Sequence, residues 1–275
     1  MISIFRFSKI KKIKLNDITK YKTDIYSNEQ TLKQLDTDNL FLTFHGIYFQ
    51  DPAKLSDRPV FEDLSFAVLP GEFVAITGEN LKDGHYIFDL VLRFHKPQSG
   101  KIYIAGSHIE NIRINSIRSA IGIFNEDFGL IDGTIFDNIA MLIGDYAKIQ
   151  NVAYNVGLEA FLDRELFDAD GDVAIPQEIL FRLQMARIAI RRPKIVLIEE
   201  PAFFESEENE QIFFDIVKHM AKRKTVIVIT GKPMLAINSD KILYLGIKKT
   251  IFGSHAELSS DPDYQQFIAI NSDLD

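Results

Sequence analysis

The stretch Leu64-Ser-Phe-Ala-Val-Leu-Pro-Gly-Glu-Phe-Val-Ala-Ile-Thr-Gly78 decides how the rest of the chain is read. Leu64 to Val68 alternates apolar and polar, Pro70-Gly71 supplies a turn, and Phe73 to Thr77 is an apolar run short enough to be a buried strand. Beyond Gly78 the period becomes helical: Ile87, Leu90, Val91 and Phe94 fall at i, i+3, i+4 and i+7 and predict one apolar helix face. Pro97 and Gly100 end that helix. Upstream, Phe41–Phe44 and Ile47–Phe49 have strand character, followed by a loop from Asp51 to Pro59. Downstream, Lys101–Ala105 and Ile121–Phe124 predict strands, Asn138–Leu166 is mostly helical, and a helix from about Glu178 to Arg192 stops at Pro193. Ile195–Ile198 is wholly apolar, the mark of a strand covered on both faces. A helix near Asn209–Lys222 leads to a second such strand, Thr225–Ile229. Buried strands alternating with helices predict a mostly parallel α/β sheet.

Composition narrows the function. The 275 residues are 46% hydrophobic and 25% charged, ample for a globular core. A formal net charge of −8 argues against wrapping nucleic acid. With no cysteine there is no disulfide framework, zinc knuckle or thiol nucleophile. No stretch reaches the roughly 18 to 20 apolar residues of a membrane-spanning helix, and the basic N-terminus is followed by no apolar region of the kind a secretory signal needs. Residues 1–40 are polar and mixed and are taken as a basic extension outside the core. Residues 1–22 carry Arg6, Lys9, Lys11, Lys12, Lys14, Lys20 and Lys22 against the single acid Asp17. Such a segment is expected to meet a partner or an anionic membrane surface.

The motifs then take on a familiar order. Leu64 to Gly78 resembles the entry to the phosphate loop of ATP-binding cassette (ABC) ATPases. Leu130-Ile-Asp-Gly-Thr-Ile-Phe-Asp-Asn-Ile139 resembles the segment after that family's Q-loop, especially in exporters. Arg187 to Glu200 resembles the end of the signature helix running into the Walker B strand. Ser239-Asp-Lys-Ile-Leu243 and Gly253-Ser-His-Ala-Glu-Leu258 resemble the closing strands. The likeness covers roughly residues 41–270. It implies a P-loop NTPase (RecA-like) α/β core with an antiparallel β-subdomain and a helical subdomain near residues 128–192, all within residues 41–275.

What the resemblance implies chemically is largely missing. A phosphate loop G-x-x-x-x-G-K-[ST] uses glycines to let backbone N–H groups converge on phosphates, a Lys for the terminal phosphates and a hydroxyl for Mg²⁺. Gly78 takes the first glycine position, and Asp83, Gly84 and His85 stand where the second glycine, the Lys and the Ser/Thr belong. Glu79 and Asp83 add like charge, each repelling a phosphate by about 3 kcal/mol at about 5 Å and an effective dielectric near 20. Lys82 is the one nearby cation that could offset this. The adenine-stacking aromatic of the A-loop falls at Asp51, with Tyr48 three residues early; the Q-loop glutamine is Glu126; the switch histidine is Gly231. The signature segment reads Ile175-Pro176-Gln177-Glu178-Ile179, where Pro176 has no N–H to give and Glu178 brings the wrong charge. Glu199 replaces the Mg²⁺-organising Asp and Glu200 matches the general base, a vestigial pair without its partners. The stretch from Leu166 to Ile175 is also shorter than in exporters.

The favoured expectation is a catalytically inactive ABC ATPase-like domain serving as a docking or regulatory subunit of a membrane transport or secretion complex. No metal or cofactor is then expected. Its partners would be a transmembrane domain or membrane-bound transporter components, with an ABC ATPase or a second copy as dimer mate and no nucleic acid. Its place would be the cytoplasmic face of a membrane. Phe128, Leu130, Ile131 and Phe136 are the candidate docking surface. Two alternatives stay open: an ATP-hydrolysing domain with an unorthodox site built on Glu199, Glu200 and Lys82, and a scaffold unrelated to transport.

Overall fold

The computed structural model describes residues 33–35, 40–53, 58–124, 129–141, 145–201 and 207–272. The basic segment 1–22, Glu126 and Phe128 lie outside the described residues. The chain divides into two compact units, residues 28–123 with 193–275 forming the larger and residues 124–192 belonging to the smaller.

The larger unit holds two sheets. Strands β1 (Leu42–Phe49), β2 (Phe61–Val68), β4 (Ser99–Ile104) and β5 (Ser107–His108) form a four-stranded antiparallel sheet in the order β2-β1-β4-β5. The two strands expected around Gly46 are one continuous strand. Gly46, at φ +60°, carries a register shift between Phe44 and Ile47, and the left-handed conformation that glycine adopts freely lets the strand continue through the irregularity. The second sheet has six strands in the order β10-β9-β3-β8-β7-β6, from β3 (Phe73–Thr77), β6 (Ile121–Phe124), β7 (Ile195–Glu199), β8 (Thr225–Ile229), β9 (Lys241–Leu245) and β10 (Thr250–Gly253). β9, β3, β8 and β7 run parallel, and β10 is antiparallel to β9.

Alternation along β3 explains why its run is apolar throughout. Val74 and Ile76 join the core shared with the four-stranded sheet, whereas Ala75 faces a second cluster with Tyr244, Tyr264 and Phe267. Helix α1 (His85–Val91) is buried at Tyr86, Ile87, Phe88, Leu90 and Val91, so it is apolar on more than one side. It also stops earlier than its periodicity predicted. Arg93 turns to φ +56°, and Phe94, expected on the buried face, is 58% exposed. Helix α2 (Ile114–Ala120) leads into β6. The remaining helices of this unit are α6 (Glu207–Ala221), α7 (Pro233–Ile237), α8 (His255–Leu258) and α9 (Pro262–Ser272).

The smaller unit packs α3 (Ile135–Ala140), α4 (Tyr146–Asn155) and α5 (Gln177–Ile190) around Leu130, Ile139, Leu158, Leu166 and Leu183. The long helical stretch expected from Asn138 to Leu166 is thus broken into short pieces. A capping box between Thr134 and Asp137 starts α3, and the Asp145 side chain caps α4 by accepting from the Lys148 N–H.

Candidate functional site

The site is built where β3, β7 and β8 end. Gly78 leaves β3 at φ +123°, and a Cβ there would lie 2.6 Å from the Leu245 carbonyl oxygen, so the loop can start only with glycine. The loop then closes on itself. Asn80 N–H donates to the Leu245 carbonyl at 3.0 Å, Asp83 N–H to that of Asn80 at 2.8 Å, and Gly84 N–H to that of Leu81 at 2.9 Å. Leu81–Asp83 forms one turn of 3-10 helix that runs into α1, whose first residue is His85. The His85 ring bonds the Lys82 carbonyl, Glu79 accepts the Ile247 N–H at 3.0 Å, and the Asn80 amide donates to the Gly246 carbonyl at 3.1 Å.

Gly84 is glycine for a different reason from Gly78. Its φ of −58° is ordinary helix, but a Cβ would meet the Leu81 carbonyl oxygen at 3.0 Å, Ile76 at 3.2 Å and Ile229 at 3.3 Å. The position is closed by packing. Lys82 is exposed at the loop surface. Asn80 and Asp83 line a cavity of about 320 Å³ together with Arg58, Glu62 and Lys248.

Asp51 is nearly buried, and both its oxygens are engaged: Oδ1 accepts from Ala53 N–H at 2.9 Å and Oδ2 from the Tyr86 hydroxyl. Tyr86 in turn packs its ring 5.2 Å from that of Phe49. The Asp51 carboxyl is therefore fixed to α1. Tyr86 escaped the sequence reading because its apolar neighbours placed it simply in the helix core.

At the strand ends, Glu199 is exposed and Glu200 is turned inward. One Glu200 oxygen accepts both the Thr230 hydroxyl and the Gly231 N–H, the latter at 3.0 Å. Burial pushes the Glu200 carboxyl above its ordinary value. Those two hydrogen bonds and the Lys232 charge pull it down, and Glu210 pushes it up. Lys232 pairs with Glu210 at 3.1 Å. The structure thus brings Glu200 and Gly231 together and adds Thr230, Lys232 and Glu210, which no motif flagged. Leu81 of the loop reaches this cluster too, lying 3.6 Å from where a Gly231 Cβ would stand.

In the smaller unit, Pro176 precedes α5 and offers no side-chain cap. Glu178 is held by Arg182 at 2.6 Å, and Ile175 and Ile179 are buried, which leaves Gln177 and Glu178 as the polar groups of the first turn. Leu130 and Ile131 are 0% and 8% exposed, and Leu130 turns into the unit's own core. Their side chains are therefore removed from the docking surface expected of them. Phe136 is partly buried and packs 5.5 Å from Tyr146. Among the described residues no cluster of three or more His, Asp or Glu is arranged to hold a metal ion, and no helix is long and apolar enough to cross a membrane.

Comparison with known proteins gives this architecture its family. The model of the ABC transporter family matches residues 61–203. The chain is 26% identical to ABC transporter B family member 21 of Arabidopsis thaliana, covering 99% of this chain and 22% of that protein. It is 28% identical to a multidrug resistance ABC transporter ATP-binding and permease protein of Lactococcus lactis, covering 90% and 44%. It is 25% identical to the alpha-hemolysin translocation ATP-binding protein HlyB of Escherichia coli, covering 94% and 38%. Among solved structures, a bacterial Atm1-family ABC exporter with ATP bound superposes with a TM-score of 0.75 at 26% identity, over 89% of this chain and 44% of that one. The chain spans less than half the length of these relatives. With the α/β core, the β-subdomain and the motif order all in agreement, the chain belongs to the ABC transporter family, as an exporter-type ATPase-like domain.

Proposed function

We propose that this domain has lost ATP turnover and serves as a docking or regulatory subunit of a membrane transport or secretion complex, at the cytoplasmic face. The observation that carries this is the closed loop. The amides of Asn80, Asp83 and Gly84 already donate to protein carbonyls, and a side chain at the position of the phosphate-binding lysine would crowd Leu81, Ile76 and Ile229 at 3.0 to 3.3 Å. A phosphate would have to displace those bonds while facing Glu79 and Asp83, and a lost buried hydrogen bond costs about 1–3 kcal/mol. The residues present do not fit Mg²⁺–ATP: the hydroxyl is replaced by His85, the stacking aromatic by Asp51, and Glu200 is held by Thr230 and Gly231.

In ABC dimers each ATP is shared between the phosphate loop of one subunit and the signature segment of the other. This chain is defective in both, at Asp83, Gly84 and His85 and again at Pro176 and Glu178. Paired with a competent ATPase it would leave both shared sites half-built. A ligand that does not distinguish open from closed states cannot shift them, so assembly here is independent of ATP. Sedimentation with and without ATP–Mg²⁺, alone and with a membrane partner, tests this. Unchanged mass supports the docking role, and a nucleotide-dependent rise in mass restores an ATP-driven one.

A further inference from the structure

The exposed Phe94 is part of a feature that nothing in the nucleotide site uses. Behind it lies a cleft of about 410 Å³ between the end of α1 and the β4–β5 edge. Its floor is apolar, from the buried side chains Leu90, Ile102 and Ile109. Its rim carries Arg93, Lys96 and Lys101 with His95 and His108 against Glu110, and Asp89 lies 3.8 Å from the His95 ring. Glu110 is already paired with Lys96 at 2.6 Å. Neither Arg93 nor Lys101 lies within ion-pair distance of a carboxylate among the described residues.

The cations are also held in place. Arg93 sits in a left-handed backbone conformation and donates to the Ile112 carbonyl at 2.9 Å, which spends one of its five N–H groups. Arg118 donates to the Leu92 carbonyl at 3.2 Å and backs the Phe94 ring, its guanidinium carbon 4.6 Å from the centroid. Phe94 N–H is tied to the Asp89 carbonyl at 2.8 Å, so the ring is presented from a fixed backbone. Arg93 and Lys101, with no carboxylate at ion-pair distance among the described residues on a chain of net charge −8, are electrostatically incomplete.

We propose that this cleft docks an acidic peptide segment of a partner protein, with one apolar side chain entering the cleft and flanking carboxylates meeting Arg93 and Lys101. The exposed Phe94 ring beside the cleft argues for a peptide over a free phosphate, which would have no use for an aromatic side chain. The concave shape, with Phe94 backed by Arg118, argues for a peptide over a lipid surface. Aromatic and arginine anchors around a pocket are where binding energy concentrates in interfaces. This inference shares with the docking role only the existence of a protein partner. Its failure would leave the nucleotide prediction untouched, and the converse holds.

The test is selection of random decapeptides displayed on phage against the whole chain, run in parallel on Lys101→Glu and Phe94→Ser. Both substitutions are at exposed positions, so circular dichroism and the thermal midpoint should match the parent. The expected result is enrichment of peptides with Asp or Glu flanking one apolar residue. A synthetic copy of the most enriched one should bind each variant at least about tenfold more weakly and lose affinity as salt rises. Enrichment of neutral or basic peptides, or equal binding by Lys101→Glu, overturns the inference. It is equally overturned if nothing enriches, and sedimentation with phosphatidylserine vesicles, or dimer formation, that Lys101→Glu abolishes would then assign the cleft to a lipid surface or a second copy.

Discussion

The loop after β3 and the ends of β7 and β8 face the same candidate site and are built with different tolerance for added side chains. In the loop, conformation and close packing hold the chain. Gly78 is fixed by its conformation and its closeness to Leu245, Gly84 by Leu81, Ile76 and Ile229, and the amides of Asn80, Asp83 and Gly84 donate to protein carbonyls. At the strand ends the Glu200 carboxyl is engaged by Thr230 and Gly231, and Lys232 is paired with Glu210. Gly231 there has a φ outside the left-handed region and only ordinary contact, 3.6 Å, with Leu81. Restoring a catalytic side chain is therefore sterically costly in the loop and cheap at the strand ends.

This asymmetry can be broken by substitution. The largest effect belongs to Gly78→Ala, where a methyl would overlap the Leu245 backbone at a left-handed φ. A loss of about 3 kcal/mol or more is expected in urea denaturation. Gly84→Lys, which restores the family's lysine, should cost about 1–3 kcal/mol through overpacking and still confer no ATP binding. Thr230→Val removes the hydroxyl that donates to Glu200 and accepts the Lys232 N–H at 2.9 Å. A loss of about 1–3 kcal/mol is expected. Gly231→Ala should change stability by less than about 0.5 kcal/mol. If Gly231→Ala proved as damaging as Gly84→Lys, the contrast between the two regions would be lost.

Glu200→Gln sharpens the same contrast through pH. The Glu200 carboxyl is pushed up by burial, so the folded state favours its protonated form. The contribution of such a group is fully present below the unfolded value and is lost as pH rises through the folded value. Glutamine keeps an oxygen for Thr230 and Gly231 without the charge. The variant should therefore melt higher than the parent at pH 8, and the difference should shrink on acidification through the carboxylate range. An equal offset at every pH would assign the change to packing alone.

The strands were legible because their signal is local. Phe73–Thr77, Ile195–Ile198 and Thr225–Ile229 are apolar without interruption, and a parallel sheet covered on both faces requires that. Phe94 was misplaced because periodicity cannot show that Arg93 would leave the helix in a left-handed turn, and in Asn138–Leu166, mostly helical by its pattern, the start of the helix at Tyr146 is signalled by the Asp145 cap. In the site, the identities of Asp83, Gly84, His85 and Gly231 could be aligned from spacing. Where the loop amides go could not, since their acceptors include Leu245, which lies far along the chain and comes close only through the β3–β9 pairing. Nor could the engagement of Glu200 by Thr230, which depends on the parallel register of β7 and β8.

The most direct measurement is equilibrium binding of ATP–Mg²⁺ to the purified chain, by calorimetric titration with the melting temperature followed in parallel. The closed loop predicts no saturable heat and no shift of the midpoint up to millimolar nucleotide. At 100 times its dissociation constant a bound ligand would add about 2.7 kcal/mol of stability. A saturable isotherm with a rise of several degrees would mean that the loop opens to admit phosphates, and the account of an ATP-independent docking subunit would be wrong.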